Sequence, residues 1–176
     1  MHVALTAVGA DRPGIVAAVT KVLFEFGGNV EDSRMAILGG HFAMVLIVAL
    51  PEGSDVGSLE RALERPAGDL GLVVAVRPVA DVSGAVGSGM PYEVRVYGAD
   101  HPGIVARVSA LLAERGVNIR DLATHVSGGD APLYMMLLDV VVPDATDVGV
   151  LERGLRALGE EIGVDVAIER ADPDTL

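Results

Sequence analysis

Two short segments have residue types and a spacing that could bind a small charged molecule. Residues 9–17 read Gly-Ala-Asp-Arg-Pro-Gly-Ile-Val-Ala, and residues 98–106 repeat them 89 residues later with histidine for arginine. We expect Asp11 to be a helix N-cap and Pro13 to lie in the first helical turn. Free backbone N–H groups there could hold the carboxylate of a small zwitterion, while Asp11 accepts from its ammonium. The alternative is that both segments are only well-capped helix starts.

Composition and charge argue against several classes of protein. The 176 residues carry a formal charge of −12, and the 13 basic residues form no cluster. Phosphate contacts need clustered lysine and arginine, so we expect no direct binding to nucleic acid. The chain has no cysteine, and its 4 histidines are scattered. We therefore predict no metal site, no cofactor and no catalytic residues.

The sequence also shows no pattern typical of a targeting signal or of a membrane-spanning segment. The first residues have no basic segment followed by a cleavage-like site, so they do not read as a signal peptide. The longest apolar run, residues 42–50, is too short to span a bilayer. We expect a cytoplasmic protein with no membrane partner.

The hydrophobic periodicity predicts the same series of elements twice. Residues 1–80 read as β-α-β-β-α-β, with Gly/Ser-rich residues 81–90 as a linker. Residues 91–172 repeat the series, and residues 173–176 form a tail. In the first 32 positions of the two halves, 15 residues are identical. This order predicts an α+β protein of two ferredoxin-like sandwiches, each a four-stranded antiparallel sheet with two helices on one face.

The repeated turn, followed by a helix and Gly-x-Asn-Val or Gly-x-Asn-Ile, resembles the ACT domain, a regulatory module that binds amino acids. The segment Asn-Val-Glu-Asp-Ser-Arg-Met-Ala-Ile-Leu at residues 29–38 further resembles the tandem-ACT family of glycine cleavage system transcriptional repressors. The resemblance covers about residues 1–172. It implies two ACT domains, at 1–80 and 91–172.

The same resemblance implies where a ligand would bind. In ACT domains the effector usually sits between two modules, one giving the turn after its first strand and the other the loop that enters its second strand. The first such set is Asp11, Arg12, Pro13, Gly14 and Ile15 with Asn118 and Ile119. The reciprocal set is Asp100, His101, Pro102, Gly103 and Ile104 with Asn29 and Val30. Because His101 replaces Arg12, we expect the two sites to differ in affinity.

These residues imply an amino-acid sensor without enzymatic activity. By resemblance, a small amino acid, glycine or serine, would bind and change contact with a protein partner, either a transcription factor or a metabolic enzyme. Exposed sheet edges make a homodimer plausible. Two alternatives remain open at this point. One is a ligand-free scaffold that only oligomerises, and the other is a regulatory subunit acting in trans on an enzyme of amino-acid metabolism.

Overall fold

A computed structural model describes residues 1–80, 88–128 and 132–171. The chain divides into two units, Met1–Ser83 and Gly84–Leu176. The described residues of each unit form four strands and two helices in the predicted β-α-β-β-α-β order, so the predicted α+β, ferredoxin-like class is confirmed. None of the helices in the described ranges is long and apolar enough to cross a membrane.

The first unit is one antiparallel sheet with two helices. Its strands have the spatial order β2-β3-β1-β4, so that β2 and β4 are the edges. The elements are β1 (His2–Ala10), α1 (Ile15–Glu25), β2 (Asn29–Leu38), β3 (His41–Ala49), α2 (Val56–Leu70) and β4 (Leu72–Val79).

The second unit repeats this plan with the order β6-β7-β5-β8. Its elements are β5 (Gly89–Ala99), α3 (Ile104–Glu114), β6 (Asn118–Val126), β7 (Leu133–Pro143), α4 (Val148–Ile162) and β8 (Val164–Arg170). Strand β5 begins at Gly89, inside the segment 81–90 that the sequence predicts as a linker. Residues 81–87 of that segment and the predicted tail 173–176 lie outside the described residues.

Alternation along the strands produces the core of each unit. On β1, Val3, Leu5 and Ala7 are buried, and their neighbours in sequence point to the other face of the sheet. The helical period places Ile15 and Val19 of α1 on this same core. The second unit has its own core around its helices, with Val94, Val96, Ile104, Val108, Leu112, Leu151 and Leu155. The apolar face of each sheet is thus covered by its own two helices.

Candidate functional site

The turn between β1 and α1 differs from the prediction in one respect. Asp11 is not the N-cap of α1, because that position is taken by Gly14 with φ 94° and ψ −6°. This left-handed conformation is open to glycine without a Cβ clash, and it reverses the chain just before Ile15. Pro13 consequently lies before the helix. The backbone N–H of Asp11 instead donates to the carbonyl oxygen of Gly40, at 3.0 Å, which ties the turn to the β2–β3 hairpin.

The result is a helix start with available donors. No side chain of the described residues caps α1, and its first hydrogen bond runs from the N–H of Ala18 to the carbonyl oxygen of Gly14, at 2.9 Å. The preceding N–H groups have no acceptor within the helix. Asp11 is exposed, and its carboxylate makes no hydrogen bond or ion pair with another described residue. This turn therefore offers both the N–H donors and the carboxylate that a zwitterion requires.

The turn between β5 and α3 has the same backbone conformation but has His101 where the first turn has Arg12. Gly103 has φ 101° and ψ −8°, and α3 has no cap from a side chain in the part of the chain that the structure describes. His101 Nε2 lies 2.7 Å from the carbonyl oxygen of Ile162, the last residue of α4, and its Nδ1 lies 3.2 Å from the carbonyl oxygen of Pro102. A carbonyl oxygen only accepts, so Nε2 donates in the first contact. In the first unit, Arg12 is exposed and makes no hydrogen bond or ion pair with a described residue.

Tyr134 lies close to the second turn, and the sequence reasoning did not single it out. It sits on β7 opposite Gly98, where the first unit has Phe42 opposite Gly9. Its side chain is buried, and the hydroxyl donates to the sulfur of Met136, at 3.6 Å. Burial, and then the negative charge of Asp100, raise the pKa of the Tyr134 hydroxyl. The only signal in the sequence was a tyrosine where the repeat has phenylalanine.

The asparagines of the predicted site lie at the opposite end of each sheet. Asn29 begins β2 and pairs with Ala49, whose partner on β1 is His2. The turn follows Ala10, eight residues further along β1. At about 3.4 Å per residue this separation is roughly 27 Å. The turn and the asparagine of one unit therefore cannot hold the same small molecule.

The second unit shows the same separation. Asn118 pairs with Val141, whose partner on β5 is Pro91, whereas the turn follows Ala99 at the other end of the strand. Both β2 and β6 then change register at a bulge, between Val30 and Asp32 in one and between Ile119 and Asp121 in the other. Bulges of this kind often lie beside functional sites, because they redirect the side chains around them.

No group of three or more histidine, aspartate or glutamate side chains within the described ranges could hold a metal ion. The predicted site residues thus offer backbone N–H donors, carboxylates, side-chain amides and one free guanidinium. Such a set can bind a charged or zwitterionic molecule through hydrogen bonds and ion pairs.

Comparison with known proteins gives two family matches. Residues 2–77 match the ACT domain, and residues 92–160 match the ACT domain again. Over 95% of the chain and 88% of the relative, the sequence is 27% identical to the glycine cleavage system transcriptional repressor of Escherichia coli. A crystal structure of an unknown protein from Galdieria sulphuraria is similar with a TM-score of 0.82 and 33% identity, covering 97% of this chain and 98% of that one. A UPF0237 protein of Methanopyrus kandleri is 43% identical over 74 residues, 42% of this chain and 82% of that protein.

Proposed function

Because the chain belongs to the ACT-domain family, with one such domain in each half, we propose that it is an amino-acid-sensing regulatory protein. Its ligand is a small amino acid, glycine or serine. The observation that carries the proposal is the uncapped start of α1 with the exposed, unpaired carboxylate of Asp11 three residues before Gly14. An anion finds donors at such a helix start, and an ammonium finds the carboxylate.

Each turn supplies one half of a binding site. Asp11 or Asp100 accepts from the ammonium, and the N–H groups that follow Gly14 or Gly103 donate to the carboxylate. Arg12 adds a guanidinium in the first unit, whereas His101 is held by Ile162 in the second. Proline and isoleucine on either side of each glycine shape the backbone of the turn.

The asparagine ends of the units supply the other half. Because Asn29 lies roughly 27 Å from the turn of its own unit, a binding role for Asn29 requires the turn of a different ACT domain. The resemblance to ACT domains supports the pairing we propose, in which Asn118 and Ile119 complete a site with Asp11, and Asn29 and Val30 complete one with Asp100. A ligand that needs two domains stabilises the arrangement that brings them together, which is how binding becomes a signal.

The output of the sensor is contact with a protein, either a transcription factor or a metabolic enzyme. The formal charge of −12 disfavours contact with DNA, so control of transcription would be indirect. The relative in Escherichia coli is named for repression of the glycine cleavage system, which supports glycine as the first ligand to test. The exposed edge strand β2 supports a homodimer as the assembled form.

Thermal denaturation of the full chain with each of the twenty amino acids tests the proposal. At a concentration 100 times the dissociation constant, a ligand adds about 2.7 kcal/mol to the free energy of unfolding. We expect glycine or serine to raise the melting temperature, and Asp11→Ala with Asp100→Ala to abolish the rise. Asp69→Ala, an exposed acid on α2, is the matched control and should leave the rise intact. If no amino acid shifts the melting temperature at millimolar concentration, the chain is not a sensor of this kind.

A further inference from the structure

A groove runs between helix α2 and the edge strand β4 of the first unit. It encloses about 470 Å³, and its apolar lining comes from Leu63 and Ala67 on the helix and Leu72, Val74 and Val76 on the strand. The helix side is open because small residues face the strand. A Cβ added at Gly68 would meet no atom within 4 Å. The groove is therefore wide enough to take side chains from another molecule.

The rim of the groove is negatively charged. Glu60 and Glu64 lie one helical turn apart on α2, and both line the groove. Both are exposed, and neither makes an ion pair with a described residue. The nearby cation Arg61 is already engaged, because its Nη2 lies 3.3 Å from Asp55 Oδ2. Two uncompensated carboxylates above an apolar floor suit long basic side chains, whose aliphatic stems pack on the floor while their charged ends reach the rim.

The strand side of the groove is a free sheet edge. Among the described residues, strand β4 pairs with β1 alone in the order β2-β3-β1-β4, so its outer backbone groups have no strand partner there. Val73 also lines the groove and is 76% exposed, and the alternation along the strand directs its side chain to the face opposite Leu72 and Val74. An edge strand beside a groove is the arrangement in which an extended peptide adds a strand, with alternate side chains directed to the two faces.

The equivalent place in the second unit differs in width and in the charges of its lining. Gly159 stands where the first unit has Ala67, and a Cβ there would lie 2.5 Å from the carbonyl oxygen of Val164, so α4 is packed closely against β8. Arg156 replaces Glu64 and pairs with Glu152, Nη2 to Oε1 2.9 Å. The cavity is smaller, about 290 Å³. Of these two grooves in the described residues, the first is wider and has Glu60 and Glu64 unpaired, whereas the second is narrower and is lined by Arg156 as well as by Glu160 and Asp165.

We propose that the α2–β4 groove binds an extended segment of a partner protein in which basic and apolar residues alternate. The segment adds as a strand along β4. Its basic side chains lie in the groove and reach Glu60 and Glu64, and its apolar side chains pack beside Val73 on the opposite face. This inference rests on the proposed function in one respect, that the protein acts through a protein partner, for which the groove supplies a surface. It does not depend on amino-acid binding.

A fluorescein-labelled nonapeptide of alternating lysine and valine is the probe. We expect saturable binding to the full chain by fluorescence anisotropy, with NMR shift changes along Leu72–Val79 and α2 and none at β8. Replacing both rim carboxylates, Glu60→Gln with Glu64→Gln, should weaken binding about fivefold, the effect of losing two exposed ion pairs. The control Glu52→Gln with Asp69→Asn changes net charge equally, away from the groove, and should bind as the original chain does.

Two further variants separate the groove from general attraction between charges. Gly68→Leu fills the groove while replacing a helical glycine by a better helix former, so the unit should stay folded and lose at least tenfold in affinity. Two further probes carry N-methyl groups on the odd or on the even residues. The probe whose methyl groups face β4 cannot form the hydrogen bonds of an added strand, so it should also lose at least tenfold in affinity.

Three results would overturn the proposal. Equal binding of the N-methylated and unmodified probes would show attraction between charges alone. Equal binding to the original chain and Gly68→Leu would place the peptide elsewhere. Dimerisation of the chain that Gly68→Leu abolishes, detected by sedimentation, would assign the groove to a second copy. Because the amino-acid proposal is tested with Asp11→Ala, which leaves the groove unchanged, failure of either proposal can be told from failure of the other.

Discussion

His101 Nε2 contacts the carbonyl oxygen of Ile162 at 2.7 Å, whereas Arg12, at the same place in the repeat, contacts no described residue through an ion pair or hydrogen bond. The carbonyl belongs to the last residue of α4, at the negative end of that helix. The second turn is therefore held by its own unit, and the first keeps its cation available. Two halves with similar sequences have thus diverged at the residue most suited to a ligand carboxylate.

This difference predicts opposite effects of two alanine substitutions. His101→Ala removes a hydrogen bond and should lower the free energy of unfolding of the second unit by about 1 kcal/mol. Arg12→Ala removes an exposed side chain and should change stability by less than about 0.5 kcal/mol, but should weaken binding of the amino acid. Urea denaturation and ligand titration measure the two effects. Equal stability losses in both variants would contradict the assignment.

The N-caps give a second pair of substitutions. Asp147 caps α4, and its Oδ1 accepts from the N–H of Val150 at 3.1 Å. Asp147→Ala should therefore cost about 1 kcal/mol in the free energy of unfolding. Because Asp11 caps no helix, Asp11→Ala should cost less than about 0.5 kcal/mol. Denaturation curves of the two variants measure the difference. A large loss in the free energy of unfolding from Asp11→Ala would show that Asp11 has a structural role. This variant could then not be used to test binding.

Much of the fold can be predicted from the sequence because local patterns of residues determine its elements. The alternation of Val3, Leu5 and Ala7 predicts the buried face of β1, and the repeated turn predicts two units with the same order of elements. The start of the helix was predicted wrongly because the pattern Asp-x-Pro-Gly is compatible with an N-cap at the aspartate or at the glycine. A positive φ at Gly14, which moves the N-cap by three residues, has no marker in the sequence beyond the glycine itself.

The candidate site was less predictable because it depends on pairing between distant segments. Asn29 was expected in the loop that enters the second strand, whereas it is the first residue of β2, and only the register of β2 on β3 and of β3 on β1 shows how far it lies from the turn. Likewise the groove beside β4 depends on how closely α2 packs on the strand. Ala67 and Gly159 occupy equivalent positions, yet only the backbone distance reveals that the second groove is narrowed.

Alanine substitutions at two glycines of the first unit should change the free energy of unfolding in opposite directions. Gly14→Ala places a Cβ in a left-handed conformation with no atom within 4 Å, so its cost is purely conformational, about 1 to 2 kcal/mol. Gly68→Ala also meets open space but lies in α2 with ordinary helical backbone, and should raise the free energy of unfolding by about 0.8 kcal/mol. Urea denaturation of the full chain measures both. A stabilising Gly14→Ala would disprove the left-handed turn.

Tyr134 predicts how the second unit responds to alkali. Burial, followed by the charge of Asp100, raises the pKa of its hydroxyl above the ordinary value of 10.0. Above that pH the unfolded chain has lost a proton that the folded unit retains, so the free energy of unfolding falls as pH rises toward the folded pKa, by at most about 1.4 kcal/mol per pH unit. Below it, this group gives no pH dependence.

Tyr134→Phe should remove this part of the alkaline loss, and it should fold normally because Phe42 fills the equivalent position of the first unit. The measurement is urea denaturation from pH 8 to pH 11, comparing the original chain, Tyr134→Phe and the exposed-tyrosine control Tyr97→Phe. The control should lose stability with pH as the original chain does. If Tyr134→Phe also shows the full loss, the hydroxyl titrates freely in the folded unit and the burial of Tyr134 does not govern its ionisation.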